Sequence, residues 1–349
     1  MSRRCHFLVP GALDTRTGGY GYDRRIIEEL RSAGWQVEVQ SLGAGYPAPD
    51  ADALALARRV VERLPDRATV VVDGLAFGLL AEIAEAHAGR LRWIALVHHP
   101  LALETGLQPT QQRALHESER RSLATARRVI VTSAATAQAL AGFDVEPARI
   151  RVVEPGTDAA PLAPGSGGPG LSLLCVASVT PRKGHRLLIE ALGGVRDRAW
   201  TLHCAGSLDL DPDCAAALAG AIEGAGLAAR VRMHGECDEA GVQALYAGAD
   251  AFVLPSFHEG YGMALAEALA RGLPVVSTLA GAIPETVPAD AGLLVPPGDV
   301  EALRRALARL LDDAALRTRL AQGARAARQR LPGWADRAQR FAAALEEAA

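Results

Sequence analysis

Residues 155–170 read PGTDAAPLAPGSGGPG. Proline and glycine dominate this stretch and large apolar side chains are almost absent, so it reads as a linker rather than as helix or strand. On each side the chain alternates short apolar runs with longer amphipathic ones. Before the linker, HFLV (6–9), VEVQSL (37–42), TVVVDG (69–74), WIALVHH (93–99) and RVIVTS (128–133) read as strands. Between them, helical spacing of Leu, Ile and Ala runs near 20–33, 51–64, 76–88, 110–126 and 134–141. After it, LSLLCVAS (171–178), WTLHCAG (200–206), RVRMHG (230–235), AFVLPS (251–256), PVVST (274–278) and AGLLVPP (291–297) repeat the strand pattern. Helices fit near 185–193, 212–224, 239–248, 262–271 and 299–312, and an Ala/Leu/Arg-rich helical stretch continues to Leu331-Pro332-Gly333. Continuous apolar strands separated by helices predict parallel sheets covered on both faces. The expected fold is α/β, with two doubly wound Rossmann-like domains. The first spans 1–158 and is completed by a helix at 334–349; a linker covers 159–170; the second domain spans 171–333.

Composition agrees and removes several function classes. At 349 residues, two domains of about 100–200 residues are the natural expectation. A net charge of -3 offers no field for nucleic acid, and 4% aromatics leaves few base-stacking platforms. No apolar run approaches the roughly 20 residues that span a bilayer, and the N-terminal apolar stretch has no small-residue cleavage site, which argues against a signal peptide. The five cysteines, Cys5, Cys175, Cys204, Cys214 and Cys237, are scattered and never spaced C-x-x-C. That pattern fits buried thiols in a reducing cytosol. The expected location is therefore cytoplasmic, with a peripheral place at the inner membrane face as the alternative.

In doubly wound sheets, ligands sit beyond the carboxyl ends of the strands, so the loops there are where chemistry is sought. After the first strand, Thr17-Gly18-Gly19-Tyr20-Gly21 opens a helix and lets backbone amides approach an anion. It is not G-x-G-x-x-G. After LSLLCVA, the segment Ala177-Ser178-Val179-Thr180-Pro181-Arg182-Lys183-Gly184 places two cations where a helix begins. The helix dipole disfavours fixed cations there unless an anion lies between them, and a diphosphate would serve. Lys183 is also the only lysine among 37 basic residues, weak evidence that its position wants an ammonium group. After AFVL, the loop Pro255-Ser256-Phe257-His258-Glu259-Gly260-Tyr261-Gly262-Met263-Ala264 leads into a helix carrying Glu267. Glu259 belongs to the loop, the amides of Gly262 to Ala264 face a ligand, and Glu267 sits about one turn in. After WIAL, alternation sends His98 and His99 to opposite faces. Asp14, His99 and Glu104 are candidate acceptor contacts.

No H-E-x-x-H is present, no metal-type acidic pair lies on a strand-end loop, and no G-x-S-x-G or P-loop occurs. No metal or other cofactor is expected. Asp209-Leu210-Asp211 reads as a helix-capping turn. Two arginine sets, Arg24, Arg25 and Arg31, and Arg58, Arg59 and Arg63, could face anionic lipid. The plainer reading is solvated faces paired with Glu28, Glu29 and Glu62.

The ordered set GGYGYDRRIIEEL, ALVHHP, RVVEPGTD, LCVASVTPRKGHRLLIEAL, SFHEGYGMALAEALARGLPVVST, GAIPETV and GLLVPPGD resembles the family 4 glycosyltransferases, whose GT-B fold sets two Rossmann-like domains about a central cleft. The resemblance covers nearly the whole chain, and the two glutamates eight apart are its most specific mark. It implies a retaining, metal-independent transfer of a sugar from a nucleotide-diphosphate sugar to a hydroxyl acceptor, here a glycan, lipid or small molecule. It places Gly18 and Gly19 near donor phosphates and acceptor, His98 (with His99 as the substitute) near the transferred sugar, and Lys183 on the diphosphate. Glu259 falls near the sugar hydroxyls and Glu267 on the nucleotide ribose. Ser178, Arg182, Gly260, Tyr261, Gly262, Met263 and Ala264 complete the donor site, and His98, Glu259 and Lys183 form its catalytic set. One departure is Ala177-Ser178, where the family often has Gly-Arg; Arg182 is the candidate replacement for that charge. The competing readings are an epimerase or phosphorylase of the same architecture, and a non-catalytic nucleotide-sugar binder.

Overall fold

The structure is a computed structural model that describes residues 3–348. The chain runs β1 (Arg4–Val9), α1 (Gly18–Ser32), β2 (Gln36–Ser41), α2 (Ala51–Glu62), β3 (Thr69–Asp73), α3 (Gly74–Phe77), α4 (Ala81–His87), β4 (Arg92–Val97), α5 (Pro109–Thr125), β5 (Arg128–Val131), α6 (Ala134–Ala139) and β6 (Ile150–Val152). It continues as β7 (Leu171–Val176), α7 (His185–Gly193), β8 (Trp200–Ala205), α8 (Pro212–Gly224), β9 (Val231–Gly235), α9 (Glu239–Ala247), β10 (Ala251–Leu254), α10 (Met263–Ala270), β11 (Val275–Thr278), α11 (Ile283–Thr286), β12 (Gly292–Val295), α12 (Val300–Asp312), α13 (Ala314–Arg328) and α14 (Trp334–Glu347). Two units result: residues 1–156 with 332–349, and residues 157–331.

Each unit holds a six-stranded sheet, ordered β2-β1-β3-β4-β5-β6 in the first and β12-β11-β10-β7-β8-β9 in the second. The paired strands of both are parallel. A parallel strand with helices on both faces must be apolar along its whole length; accordingly Val70, Val71 and Val72 are all fully buried. Strand order reverses direction between β1 and β3 in one sheet and between β7 and β10 in the other. The loops following those strands diverge there and leave room for a ligand.

Four details depart from the sequence reading. The helix expected over 76–88 is two pieces, α3 and α4, with the break at Gly78–Leu80. A Cβ on Gly78 would lie 2.6 Å from the Glu119 side chain, so the chain bends where α5 passes close. The helical stretch beyond the helix expected near 299–312 is a separate helix, α13, which the Asp313 carboxylate caps by accepting from the Leu316 amide. The edge strand β6 is short and half-buried, so it lacks the apolar run that marks the others. Finally, the Gly/Pro stretch is no free tether. Ala163 donates to the Arg271 carbonyl, Gly165 to that of Ala247, and Ser166 to Asp250. Irregular backbone still has amides to satisfy, and the second unit supplies the acceptors.

The last helix belongs to the first unit. Phe341 stacks on Phe7 with ring centroids 6.4 Å apart, Trp334 meets Tyr22 edge-on at 5.9 Å, and Arg337 pairs with Glu154 at 2.7 Å. The α1 arginines are turned to structural use. Arg24 donates to the carbonyls of Leu13 and Thr15, Arg31 to that of Val37, and Arg25 lies over the Trp334 ring. They are not a free lipid-facing set, while Arg58 and Arg59 of α2 and Arg63 at its C-cap are exposed.

Candidate donor site and the histidine end of the first unit

In the second unit the loops after β7 and β10 lie against one another. Pro181–Lys183 forms a short 3-10 turn, and Gly184 then adopts φ 71°. A Cβ at Gly184 would fall 2.2 Å from the Pro255 carbonyl oxygen, so only glycine permits this approach. The turn aims both cations at the second loop. Arg182 donates to the His258 carbonyl at 2.8 Å, and its own carbonyl accepts from the Phe257 amide at 2.7 Å. Lys183 Nζ donates to both Glu259 carboxylate oxygens, at 2.7 and 2.9 Å. Ser256 Oγ donates to the same carboxylate at 2.6 Å, and Arg182 stands 3.8 Å from it.

Glu259 is 5% exposed. Burial alone would push its carboxyl up, but the charges of Lys183 and Arg182 and the hydrogen bonds from Lys183 and Ser256 carry it below its usual range. Burial pulls Lys183 down, and Glu259 only partly opposes this. An ammonium group has three N–H donors. Two are directed at Glu259, which leaves one for a further acceptor.

Gly262, at φ 89°, is the N-cap of α10. The first amides of a helix have no acceptor within it, so those of Met263 and Ala264 are available to an anion. Ser178 lies half-buried in the β7 loop. Glu267 belongs to a separate group: its Oε2 accepts from Tyr246 Oη at 3.1 Å, its carbonyl accepts from Arg271, and the Arg271 guanidinium covers the Tyr246 ring at 4.2 Å. Burial raises the Glu267 carboxyl, with Arg271 and Tyr246 opposing. Asp211 caps α8 by accepting from the Cys214 amide.

In the first unit Gly18 and Gly19 open α1, and a Cβ on Gly19 would touch the His98 ring at 3.4 Å. The glycine loop and the strand-end histidine therefore share one place. His98 Nε2 is 3.1 Å from Asp23 Oδ1 and 3.8 Å from Asp73 Oδ2. Tyr22 meets the ring edge-on at 5.2 Å. His99 is half-buried, and Asp14 and Glu104 are exposed, with Glu104 accepting from the Thr105 amide.

Asp23 and Asp73 are functional candidates that the loop-by-loop reading passed over. Both left a signal. Asp23 sits on the buried stripe of α1 with Ile26, Ile27 and Leu30, where a carboxylate is out of place. Asp73 ends the apolar run of β3 at the ligand-facing edge. A carboxylate oxygen of each lies within 4.8 Å of the other, and burial pushes Asp23 up to about 7 and Asp73 to about 8.

Among the described residues, two triplets bring metal-type ligand atoms within 4.8 Å of one another: Asp23, Asp73 and His98, and Cys175, His185 and Cys204. The second lies in the core beneath the β7 loop, with Cys175 Sγ 3.6 Å from His185 Nε2.

Two doubly wound parallel units, with a buried Lys–Glu pair where one strand order reverses, define a GT-B type α/β protein. The model for Glycosyltransferase Family 4 matches residues 22–160, and that for Glycosyl transferases group 1 matches residues 170–313. The chain belongs to this glycosyltransferase family and is an enzyme of glycosyl transfer. It is 29% identical to an MMP alpha-(1->4)-mannosyltransferase of Mycolicibacterium hassiacum, over 87% of this chain and 76% of that protein. It is 31% identical to a D-inositol 3-phosphate glycosyltransferase of Salinispora arenicola, over 68% of this chain and 62% of that one. In fold it is similar to sucrose-phosphate synthase from Thermosynechococcus elongatus, with TM-score 0.82 at 21% identity over 99% of both chains. It is also similar to Anabaena HepE solved with UDP-glucose, with TM-score 0.77 at 19% identity over 98% of this chain and 99% of that one.

Proposed function

We propose that this glycosyltransferase moves a hexose from a nucleoside-diphosphate sugar to a hydroxyl acceptor, with retention at the anomeric carbon and without a metal ion. The observation that carries the reading is the buried Lys183–Glu259 pair, flanked by Arg182 and the start of α10, on the two strands where the sheet order reverses. UDP and UDP-glucose occupy the fold neighbour HepE, which supports a nucleotide-sugar here.

Breaking a sugar–diphosphate bond leaves positive charge at the anomeric carbon and negative charge on the departing phosphate. Lys183, Arg182 and the amides at Met263 and Ala264 are fixed before the reaction and match that negative charge. Glu259 neutralises the lysine and keeps oxygen lone pairs for sugar hydroxyls. Glu267 then takes the ribose hydroxyls, and Tyr246 and Arg271 hold it in place. Among the described residues, the two buried carboxyls beside His98, Asp23 and Asp73, lie against the ring and each other, which favours a route without a covalent glycosyl-enzyme. Same-face attack assisted by the leaving phosphate follows, with the acceptor proton passing to that phosphate.

Acceptor and peripheral membrane contact belong to the same proposal. No helix among the described residues is long and apolar enough to cross a membrane. A lipid-linked acceptor would be met by the exposed Arg58, Arg59 and Arg63. The decisive experiment offers UDP- and GDP-linked hexoses with hydroxyl acceptors and assigns the product anomer by NMR. A glycoside of retained configuration supports the reading. Donor isomerisation without acceptor, a strict need for inorganic phosphate, or tight binding without turnover overturns it.

A further inference from the structure

The first unit has a second concave feature, at the opposite end of its sheet from the ligand-facing edge. A pocket of about 330 Å³ opens at the amino-terminal ends of β3, β4 and β5, lined by Arg67, Arg90, Arg92 and Arg127 with Gly89 and Leu91. That volume is at the small end of sites for small molecules. No carboxylate lines it. Arg92 opens β4 and His98 follows its far end, about 20 Å away at the rise of an extended strand. The pocket is therefore separate from the histidine end of the unit.

The sheet ladder sets the arginines side by side. The Arg67 amide donates to the Arg90 carbonyl, that of Arg92 to the Ala68 carbonyl, and that of Arg127 to the Trp93 carbonyl. Neighbouring strands lie about 4.8 Å apart, so three chain segments entering the sheet together bring their side chains to one place. Arg90 forms a fixed wall. Its guanidinium donates to the carbonyls of Val61 and Leu64 at the end of α2 and to His87 Nδ1, and it meets the exposed Asp66 at 3.3 Å. The other three differ. Among the described residues, the side chains of Arg67, Arg92 and Arg127 have no hydrogen-bond or ion-pair partner. Elsewhere along the same sheet edge arginines are matched with acids: Arg3 reaches Glu346 at 3.7 Å, Arg4 pairs with Glu38, and Arg128 reaches Glu347 at 3.5 Å. Backbone preference does not account for Arg67 either. Its φ is 61°, in the left-handed region that glycine or asparagine occupies at lower cost.

A guanidinium is always charged and presents a planar fork that pairs with two oxygens. A single carboxylate has one edge for such a fork and would leave the other arginines unmatched. A phosphate group carries a larger charge and directs oxygens to several sides, so it can take forks from more than one arginine at once.

We propose that this pocket binds a phosphate-bearing anion, gripped by Arg67, Arg92 and Arg127 against the fixed guanidinium of Arg90. The phosphate is carried either by a soluble phosphate ester or by a lipid headgroup. The site is distinct from the phosphate role proposed for Lys183 in the second unit and does not rest on it.

The test titrates inorganic pyrophosphate into the full-length protein at constant ionic strength, with chloride as the balancing salt. Calorimetry reads the affinity, and the arginine Nε–H signals in 15N NMR, assigned by their loss on single substitution, read the place. We expect saturable shifts at Arg92 and Arg127, and a loss of affinity at that place of about tenfold or more in Arg92→Ser and in Arg127→Ser. Arg127→Lys keeps the charge without the fork and should lose less. Arg67→Gly relieves the left-handed residue, so it should fold at least as stably as the wild type while binding the anion more weakly. Shifts that do not saturate, shifts spread evenly over exposed arginines, or an affinity unmoved by Arg92→Ser and Arg67→Gly overturn the proposal. Vesicles of phosphatidylcholine with and without phosphatidic acid separate the two sources. Sedimentation that needs phosphatidic acid and is lost in the doubly substituted Arg92→Ser, Arg127→Ser protein assigns a lipid headgroup. Pyrophosphate binding without such sedimentation assigns a soluble phosphate ester. Saturable binding at these arginines in a protein that transfers no sugar would sink the functional reading and leave this site standing.

Discussion

Lys183 Nζ meets both oxygens of Glu259 across 76 residues of sequence, with Ser256 donating to the same carboxylate. The pair is a structural element as well as the proposed phosphate site, because removing either partner leaves the other charge buried and unmatched. Lys183→Ala should lower turnover by about 10²-fold through loss of a fixed phosphate ligand. It should also destabilise the protein by about 1–3 kcal/mol, below the range for wholly buried pairs since the lysine side chain is 18% exposed. Combining Lys183→Met with Glu259→Gln should recover part of the stability and none of the activity. Denaturant unfolding beside steady-state rates reads both. Near-normal rates in both single variants at saturating sugar donor would contradict the site.

Acid-pair linkage gives a pH dependence of stability. Asp23 and Asp73 are both raised in the folded chain, by burial first, to about 7 and about 8. The folded state therefore holds protons that the unfolded chain has released. Their contribution is complete below the ordinary carboxylate range and is lost as pH rises through the shifted values. The urea midpoint should fall between pH 6 and 9, and Asp73→Asn should flatten that fall. A flat wild-type profile would show that the pair titrates normally.

Glu267 should act on affinity more than on chemistry. A hydrogen bond to a charged group is worth about 1.5–3 kcal/mol, so Glu267→Ala should raise KM for the nucleotide sugar by at least about tenfold with a smaller change in kcat. Tyr246→Phe, which keeps the ring beneath Arg271 and removes only the hydroxyl, should do less. A pure kcat effect from Glu267→Ala would place the residue at the reacting sugar instead.

Exhaustive EDTA treatment should leave the transfer rate unchanged, because Lys183, Arg182 and the α10 amides are assigned the work of neutralising the leaving group. Loss of activity that a divalent cation restores would overturn that assignment and turn attention to the Asp23, Asp73 and His98 triplet.

Much of the candidate donor site was legible before folding because its parts are local. Gly184, Gly262, Lys183, Glu259 and Glu267 announce themselves through loop chemistry at strand ends and helix starts. The pairing of Lys183 with Glu259 was not legible. It depends on β10 inserting beside β7, although β8 and β9 come between them in the chain. Nor was the binding of 159–170 to the second unit, since its backbone partners, Arg271, Ala247 and Asp250, are remote in sequence.

The chain alone determined the alternation of strands and helices, the two units and the loops that carry chemistry, because each of these follows from side-chain periodicity and backbone freedom over a few residues. Tertiary structure decided which loops meet. Asp23 on α1, Asp73 at the end of β3 and His98 just beyond β4 come together only because β3 lies between β1 and β4 in the sheet. The free energy of two acids at that spot is set by desolvation and mutual repulsion, which are properties of a buried neighbourhood and of no stretch of sequence.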